Sequence, residues 1–167
     1  MASVYFLQID GIEGQSADKN HDKWIELLDF SHGGMQNISV ARGGSDVVGR
    51  GQFTPFTFTH AIDKATPKIQ QYCVGGNTIK KAAFAYCRAI SGEQTTVYEV
   101  TLENVKISKA EVRTIASSDG DPMSQQPVEY VELIPGKITW KLTPIKPDNT
   151  KDGAIETAFD QIANEAK

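Results

Sequence analysis

The 167-residue chain has a mass of 18.3 kDa, so it is about one domain long and can bury a sizeable core without disulfide staples. A formal net charge of −4, a sequence pI near 5.4 and scattered basic residues argue against nucleic acid as a partner. The first ten residues carry no basic leader and only a short apolar run. We therefore expect no cleaved signal sequence, no membrane insertion, and folding in the cytoplasm.

The first third of the chain is predicted to form strands separated by loops. Residues 5–9 place apolar side chains on both faces of one extended segment, which predicts a strand covered on both sides. Turn formers then interrupt the pattern, and an extended segment resumes over residues 24–32. The glycine-rich stretch 38–51 is too flexible for a core element and is predicted to be an extended loop with Val47 and Val48 at its middle.

A change of period predicts one short helix over about residues 66–75. Thr66 is a good N-cap and Pro67 suits the first helical position. The pair Gly75 and Gly76 then supplies a left-handed stop.

Strand patterns return in the second half of the chain. Residues 79–88 and 95–107 alternate, and in the second of these the apolar phase slips by one residue, which predicts a β-bulge near Glu103 and Asn104. Residues 117–122 are predicted to be a surface loop. Residues 128–143 are predicted to hold one or two strands, divided at Pro135 and Gly136, with Trp140 on an apolar face.

The sequence carries no pattern that points to catalysis or to a metal. His21, His32 and His60 have neither the spacing of metal ligands nor an adjacent carboxylate cluster, so we expect surface or interface histidines. Cys73 and Cys87 lie in apolar stretches without ligand spacing and are expected to be free, buried thiols.

Other polar patterns are equally unspecific. The glycine pairs never extend to a phosphate-binding loop. Asp119 and Asp121 lack the remaining ligands of a calcium loop, and Glu99 and Glu103 have no partner acid positioned by sequence. We expect no enzyme activity, no cofactor and no metal.

Three segments nevertheless resemble one family. Residues 5–16 end in a Gly-x-x-Gly-x-Ser motif, residues 21–33 include Asp29-Phe-Ser-His-Gly33, and residues 66–73 form the predicted helix. Their order resembles Hcp, the haemolysin-coregulated protein family that builds the inner tube of the bacterial type VI secretion machine. The resemblance implies one mainly β domain over residues 1–167, a β-barrel of two packed antiparallel sheets with one short flanking α-helix.

The resemblance also implies a function. Hcp proteins close into homohexameric rings that stack into a tube, inside a contractile sheath and capped by a spike protein. The tube carries effector proteins in its lumen, and its subunits leave the cytoplasm for the extracellular space or a target cell without a signal peptide. Which effectors this chain carries, and whether it builds the main tube or is an orphan paralogue, stay open.

The resemblance assigns roles to two groups of residues. Ser31, with its neighbours Asp29 and His32, matches the family position at the channel wall, and the alternative is an ordinary strand serine. The loop 38–51 matches the family's extended loop, which reaches a neighbouring ring or subunit, with Val47 and Val48 as its contact tip; the alternative is a mobile loop. The predicted ring-stacking residues of this loop are Arg42, Asp46, Val47, Val48 and Arg50.

The C-terminal tail, residues 145–167, fits two conformations. Ile155, Phe159 and Ile162 follow a helical stripe. Residues 153–164 also resemble the family's C-terminal segment, which is extended, and we favour that interpretation.

Two rival functions stay open on the sequence. The first is a monomeric β-barrel that binds a ligand without tube assembly. The second, more remote, is a hydrolase built on His21, Asp22 and Ser31, for which no pattern places the serine and the histidine within hydrogen-bond distance.

Overall fold

The computed structural model describes residues 4–114 and 126–166, and the predicted surface loop 117–122 lies outside them. Strands dominate, with one helix among the described residues. In chain order the elements are β1 (Tyr5–Ile9), β2 (Ile25–Glu26), β3 (Asp29–Met35), β4 (Ile38–Ala41), β5 (Gly44–Val47), β6 (Gln52–Ala61), α1 (Thr66–Gly75), β7 (Thr78–Ile90), β8 (Glu93–Thr114), β9 (Pro127–Ile134), β10 (Lys137–Leu142), β11 (Ile155–Asp160) and β12 (Glu165–Ala166).

The 22-residue strand β8 joins two antiparallel sheets. Its first part pairs with β10, and the order on that side is β12-β11-β10-β8-β7-β1-β2. Its last part pairs with β9, which continues to β6 and β3. On the far side the sheets are connected by hydrogen bonds from Leu28 N to Thr59 O (2.8 Å) and from Leu27 N to Tyr5 O (3.0 Å). The mainly β fold of two packed sheets with one short helix is as predicted.

β8 changes partner at Asn104, and this corrects the predicted bulge. Asn104 has a positive φ of 54°, and the Gly136 N–H donates to the carbonyls of Glu103 and Asn104 at 3.0 and 3.1 Å. The register with β7 is continuous there, from Lys81 opposite Glu103 to Ile79 opposite Val105. The alternation of buried and exposed side chains shifts by one residue in both β7 and β8 at this point. Neither strand therefore contains the extra residue that a bulge requires. The register shifts of β8 lie elsewhere, near residues 97 and 108.

The core lies between the two sheets, and α1 packs beside it through the fully buried Ile69. The helix ends at Gly76, whose φ of 65° and N–H bond to Cys73 O make the predicted left-handed stop. Its start needs a correction. Thr66 is the first helical residue rather than the cap, since Ala65 occupies the cap position and makes no side-chain hydrogen bond.

The Gly-x-x-Gly-x-Ser motif is a tight packing element. Gly11 has a positive φ of 81°, and a Cβ added at Gly14 would lie 2.3 Å from the carbonyl oxygen of Trp24. Ser16 is buried, and its backbone N–H donates to Trp24 O at 3.0 Å. The motif therefore holds the loop after β1 against the start of β2.

The tail is extended, because β11 pairs with β10 over six residues. Ile155 and Ile162, which would have formed the apolar face of a helix, are 61% and 68% exposed.

Three further expectations about single residues and spans can be compared with the fold. Trp140, predicted on an apolar face, is only half-buried. Both cysteines are free, but Cys73 is half-buried, and only Cys87 is buried as expected. No helix in residues 4–114 and 126–166 is long and apolar enough to cross a membrane.

Candidate functional site

β3 divides the three residues that were predicted at the channel wall between its two faces. Asp29 and Ser31 are exposed on the outward face, opposite Thr59 and Thr57 of β6. His32 lies on the other face, toward the core. The structure therefore brings Asp29 and Ser31 together and separates His32 from them.

His32 belongs to an aromatic cluster at the core boundary. Its Nε2 is hydrogen-bonded to the Tyr98 hydroxyl at 3.2 Å, and its ring stacks on Phe56 at 5.7 Å between centroids. Burial lowers the pKa of His32 and raises the pKa of Tyr98. The neutral imidazole is therefore favoured, and its role is packing.

Register shows which further residues share the outward face of Asp29 and Ser31. Opposed residues on neighbouring strands point to the same face of a sheet. From Ser31 the row continues through Thr57 and Glu132 to Lys109, and from Asp29 it continues through Thr59 and Tyr130 to Glu111. This set could not be predicted from the sequence, because some of its residues lie more than 70 positions apart in the chain and meet only through strand pairing.

Tyr130 lies in the middle of this face. Its hydroxyl donates to Glu132 Oε1 at 2.9 Å, and Lys109 Nζ and the Arg113 guanidinium lie 5.5 and 5.2 Å from its ring centroid. Partial burial and the Glu132 carboxylate raise the pKa of Tyr130. The surface is therefore polar, with both signs of charge around one aromatic ring.

The stretch 38–51 forms a β-hairpin outside the core, made by β4 and β5. Ile38 opposes Val47, and Val40 opposes Ser45, so these four side chains share one face, and Ser39 and Asp46 share the other. Ile38, Val40 and Val47 are exposed by 62%, 80% and 56%. The hairpin is thus an amphipathic projection with an uncovered apolar face.

The predicted contact tip needs a correction. The turn of the hairpin is formed around Arg42 and Gly43, where the Gly43 N–H donates to Ala41 O at 2.8 Å. Val47 and Val48 lie at the base, because the Val48 N–H donates to Asn37 O at 2.8 Å. The glycines that permit a tight turn come before the valines, which places Arg42 at the tip.

Arg50, predicted to contact a neighbouring ring, binds the chain's own tail. Its Nη2 donates to Gln161 O at 3.0 Å and to Ile162 O at 3.4 Å. Gln161 also accepts from the Phe53 N–H through Oε1 at 3.0 Å and donates its own N–H to Gly136 O at 2.9 Å. The tail therefore supports the base of the hairpin.

Beside this support lies an aromatic cleft, which the sequence did not reveal. Phe53 meets Trp140 and Phe159 edge to face, each with ring centroids 6.1 Å apart. The cleft is lined by Gly34, Met35, Gln36, Gly51, Gln52, Phe53, Trp140, Phe159 and Gln161.

The expectation of surface histidines is wrong for His21 and His60. His60 is fully buried, and His21 is 5% exposed. The His21 ring stacks on Phe6 at 4.4 Å, and its Nδ1 donates to Asp18 at 2.8 Å. Partial burial opposes ionisation of Asp18, but hydrogen bonds from His21 and the Asn20 N–H lower the pKa of this carboxyl. Isolated histidines in a sequence carry no signal of such packing.

The groups needed for a hydrolase are not assembled. His21 is hydrogen-bonded to Asp18 rather than to the exposed Asp22, and Ser31 is exposed on β3. The Cys87 thiol lies 3.9 Å from His21 Nε2, but burial raises the pKa of that thiol and opposes the nucleophilic thiolate. No cluster of three potential metal ligands occurs in the described ranges.

Glu99 and Glu103 are paired with lysines on the outward face of the other sheet. Lys141 Nζ lies 3.6 Å from Glu99, and Lys137 Nζ lies 3.3 Å from Glu103. These acids form cross-strand ion pairs, which explains their presence without any catalytic role.

Comparison with known proteins identifies the family. The family model "Type VI secretion system effector, Hcp" matches residues 6–142. Protein hcp1 of Pseudomonas aeruginosa is 29% identical over 153 residues, covering 92% of this chain and 91% of that protein. The solved structure of Hcp1 from Salmonella typhimurium is 27% identical, with a TM-score of 0.76 and all of both chains covered. A structure of a type six secretion system protein has a TM-score of 0.85 at 21% identity, covering 99% of this chain and 100% of the other, and supports the fold. The chain belongs to the Hcp family of secreted type VI secretion proteins, a structural rather than enzymatic family.

Proposed function

We propose that this protein is a structural subunit of the type VI inner tube. Its copies close into homohexameric rings, the rings stack, and the tube carries effectors in its lumen. Six subunits per ring, and the sheath, spike and effector partners, come from the family resemblance. Export from the cytoplasm without a signal peptide is part of the same proposal.

The observation that carries this proposal is a four-stranded sheet with two open edges. In the described part of the chain β3 pairs only with β6, and β8 beyond Ile107 pairs only with β9. The two edges lie on opposite sides of the sheet β3-β6-β9-β8. Unpaired edges of this kind are templates for another chain.

The two edges are complementary in direction. All neighbouring strands in this sheet are antiparallel, so β3 and the end of β8 run in opposite directions. The β8 edge of one copy can therefore pair with β3 of the next and continue the antiparallel alternation. Such a head-to-tail contact makes a ring when its rotation closes.

Exposed apolar side chains accompany both edges. Leu28 and Met35, before and at the end of β3, are 56% and 62% exposed, and Val112 on β8 is 48% exposed. Apolar side chains exposed at an open edge favour association with another chain. A ring contact at these edges would bury all three.

In such a ring the face of Asp29, Ser31 and Tyr130 would line the channel. Its side chains are polar and carry both signs of charge, which suits transient contact with different effectors. The β4–β5 hairpin, with Arg42 at its tip, Asp46 on its polar face and Val47, Val48 and Arg50 at its base, would lie between rings.

Negative-stain images of the purified protein test the assembly. We expect end-on rings with a central hole and side-on rods. Val112→Lys should abolish rings, because a charge at an open edge opposes strand pairing. Val74→Lys, on a helix residue that is 89% exposed, is the matched control and should leave rings unchanged. Dispersed monomers from the unmodified chain would favour the ligand-binding module instead.

Co-purification tests the channel assignment. Ser31→Gln should change which effectors co-purify with intact rings, whereas Glu156→Gln, on the exposed part of β11, should not. Equal effector recovery from both variants would place cargo contacts elsewhere.

A further inference from the structure

Two histidines that pack at the core lie in opposite electrostatic surroundings. His60 has a carboxylate beside each ring nitrogen, from Asp63 and from Glu129. His32 is hydrogen-bonded to the Tyr98 hydroxyl, and its Nδ1 is buried with no hydrogen-bond partner among the residues that the structure describes. The surroundings of His60 stabilise a protonated imidazole, and those of His32 accommodate only a neutral one.

Aromatic rings surround His32 on three strands. Phe30 of β3, Phe56 of β6 and Tyr98 of β8 have ring centroids 6.1, 5.7 and 5.8 Å from that of His32. Of these three, only Tyr98 titrates, and burial raises its pKa, so its hydroxyl stays neutral. Arg88 of β7 lines a groove together with Tyr98 and is itself a cation. A proton on His32 would therefore be a buried charge without a counter-charge, which is costly.

His32 also holds the second half of β3 in place. The carboxylate of Asp29 lies on the opposite face of the strand, and the register between β3 and β6 shifts at His32. Gly33 and Gly34 follow without side chains, and Met35 is 62% exposed. His32 is thus the last side chain of β3 that packs at the core boundary. Its position decides whether the end of this edge strand stays on the sheet.

Resting on the proposed pairing of β3 with a neighbouring copy, we propose that His32 is an acid-sensitive switch for the ring-forming edge. The neutral imidazole packs the end of β3 against Phe56 and Tyr98. The protonated imidazole leaves this site for water, and the end of β3 separates from β6. A neighbouring copy then loses the strand with which it pairs, so acid releases subunits from rings.

The direction of the pH dependence follows from burial. Desolvation lowers the pKa of His32 below its ordinary value of 6.5 in the fold, and in the open form the pKa returns to that value. The stabilisation from the neutral imidazole is therefore fully present above pH 6.5 and is lost as the pH falls below 6.5 toward the lowered pKa. Pairing with a neighbour holds β3 closed, so ring formation and protonation of His32 oppose each other.

Amide hydrogen exchange tests the switch in the absence of rings. The Val112→Lys chain, which we expect to be monomeric, is compared at about pH 7.5 and about pH 5.5 with intrinsic exchange rates corrected. Protection of the β3 amides should fall by up to about tenfold relative to the β7 amides at the lower pH. His32→Phe and His32→Gln in the same background should remove this loss, since neither side chain titrates.

Light scattering tests the consequence for assembly. Between about pH 7.5 and about pH 5.5, the concentration of free subunits in equilibrium with rings should rise by up to about tenfold. His32→Phe should remove this rise and keep its rings at neutral pH. His21→Gln is the matched control, because the Nδ1 of the buried His21 has Asp18 as its partner at 2.8 Å. Its rings should dissociate in acid as those of the unmodified chain do.

The outcomes separate the two proposals. Equal pH dependence of ring dissociation in the unmodified and His32→Phe chains, or β3 protection that is independent of pH, would overturn the switch and leave the tube intact. Absence of rings at every pH, together with acid-dependent β3 protection that requires His32, would overturn the tube and keep the switch on β3.

Discussion

The imidazole Nε2 of His60 lies 2.7 Å from Oε1 of Glu129, and neither side chain is exposed. The second carboxylate oxygen of Glu129 accepts from Gln70 Nε2 of α1 at 2.7 Å. Asp63 lies 3.7 Å from the other ring nitrogen of His60. Burial alone would lower the pKa of His60, but the Asp63 and Glu129 carboxylates raise it to about 9. A charged pair thus joins β6, β9 and the helix inside the protein.

This pair predicts a stability change at alkaline pH. His60 has a pKa near 6.5 when unfolded and about 9 when folded, so its protonation favours the fold. Its contribution, about 3 kcal/mol, is fully present below pH 6.5 and is lost as the pH rises through about 9. Urea unfolding at a series of pH values, with His60→Gln as reference, measures it. A constant difference between the two proteins across this range would contradict the assignment.

Removing one partner of the His60–Glu129 pair should lower the stability of the fold more than removing an exposed acid does. Glu129→Gln leaves a buried imidazolium without its closest counter-charge, and we expect a loss of about 3 kcal/mol in the free energy of unfolding. Glu111→Gln is the matched control, since Glu111 lies on the surface 3.6 Å from Lys109. It should change stability by less than about 1 kcal/mol. Similar losses of unfolding free energy in both variants would argue that the buried His60–Glu129 pair contributes no more to stability than the exposed pair does.

Gly14→Ala should destabilise the loop after β1. The new Cβ would lie 2.3 Å from Trp24 O and 2.7 Å from Ile25 Cα, so backbone must move. We expect a cost of about 3 kcal/mol in urea unfolding. Gly153→Ala meets nothing within 4 Å and should change stability by less than about 0.5 kcal/mol. An unaffected Gly14→Ala variant would show that the close approach is not required.

Arg42→Glu should weaken stacking and leave single rings intact. The residue is exposed at the hairpin tip, outside the barrel core, so the charge change acts on contacts between copies rather than on the fold. Electron microscopy should show rings with at least about tenfold fewer rods. Lys19→Glu makes the same charge change in an exposed turn and should keep its rods. Equal rod formation by both variants would exclude the tip from the stacking contact.

The strand pattern and the helix could be predicted because they depend on local periodicity and capping. The alternation of apolar and polar residues predicted the strands, and the glycines after Cys73 predicted the observed end of α1. The partner change of β8 could not be predicted in detail. A phase slip at Asn104 looks the same in sequence whether one strand bulges or two strands turn together.

Contacts between residues far apart in the sequence limited how much of the candidate site could be predicted. Ser31 could be singled out from its motif, but Tyr130 and Glu132 share its face only through the register of β3, β6 and β9. Arg50 was predicted to contact another ring, yet its backbone acceptors in the tail lie more than 100 residues away in sequence. Backbone acceptors leave no trace in residue identity, so this support was not predictable.

The most direct test of the tube subunit proposal is the native mass of the purified protein in solution, measured by light scattering across a wide concentration range. We predict a species of about six subunits that persists on dilution and forms larger stacks on concentration. A monomer of 18.3 kDa at every concentration would contradict ring formation and leave the Hcp fold without its proposed assembly.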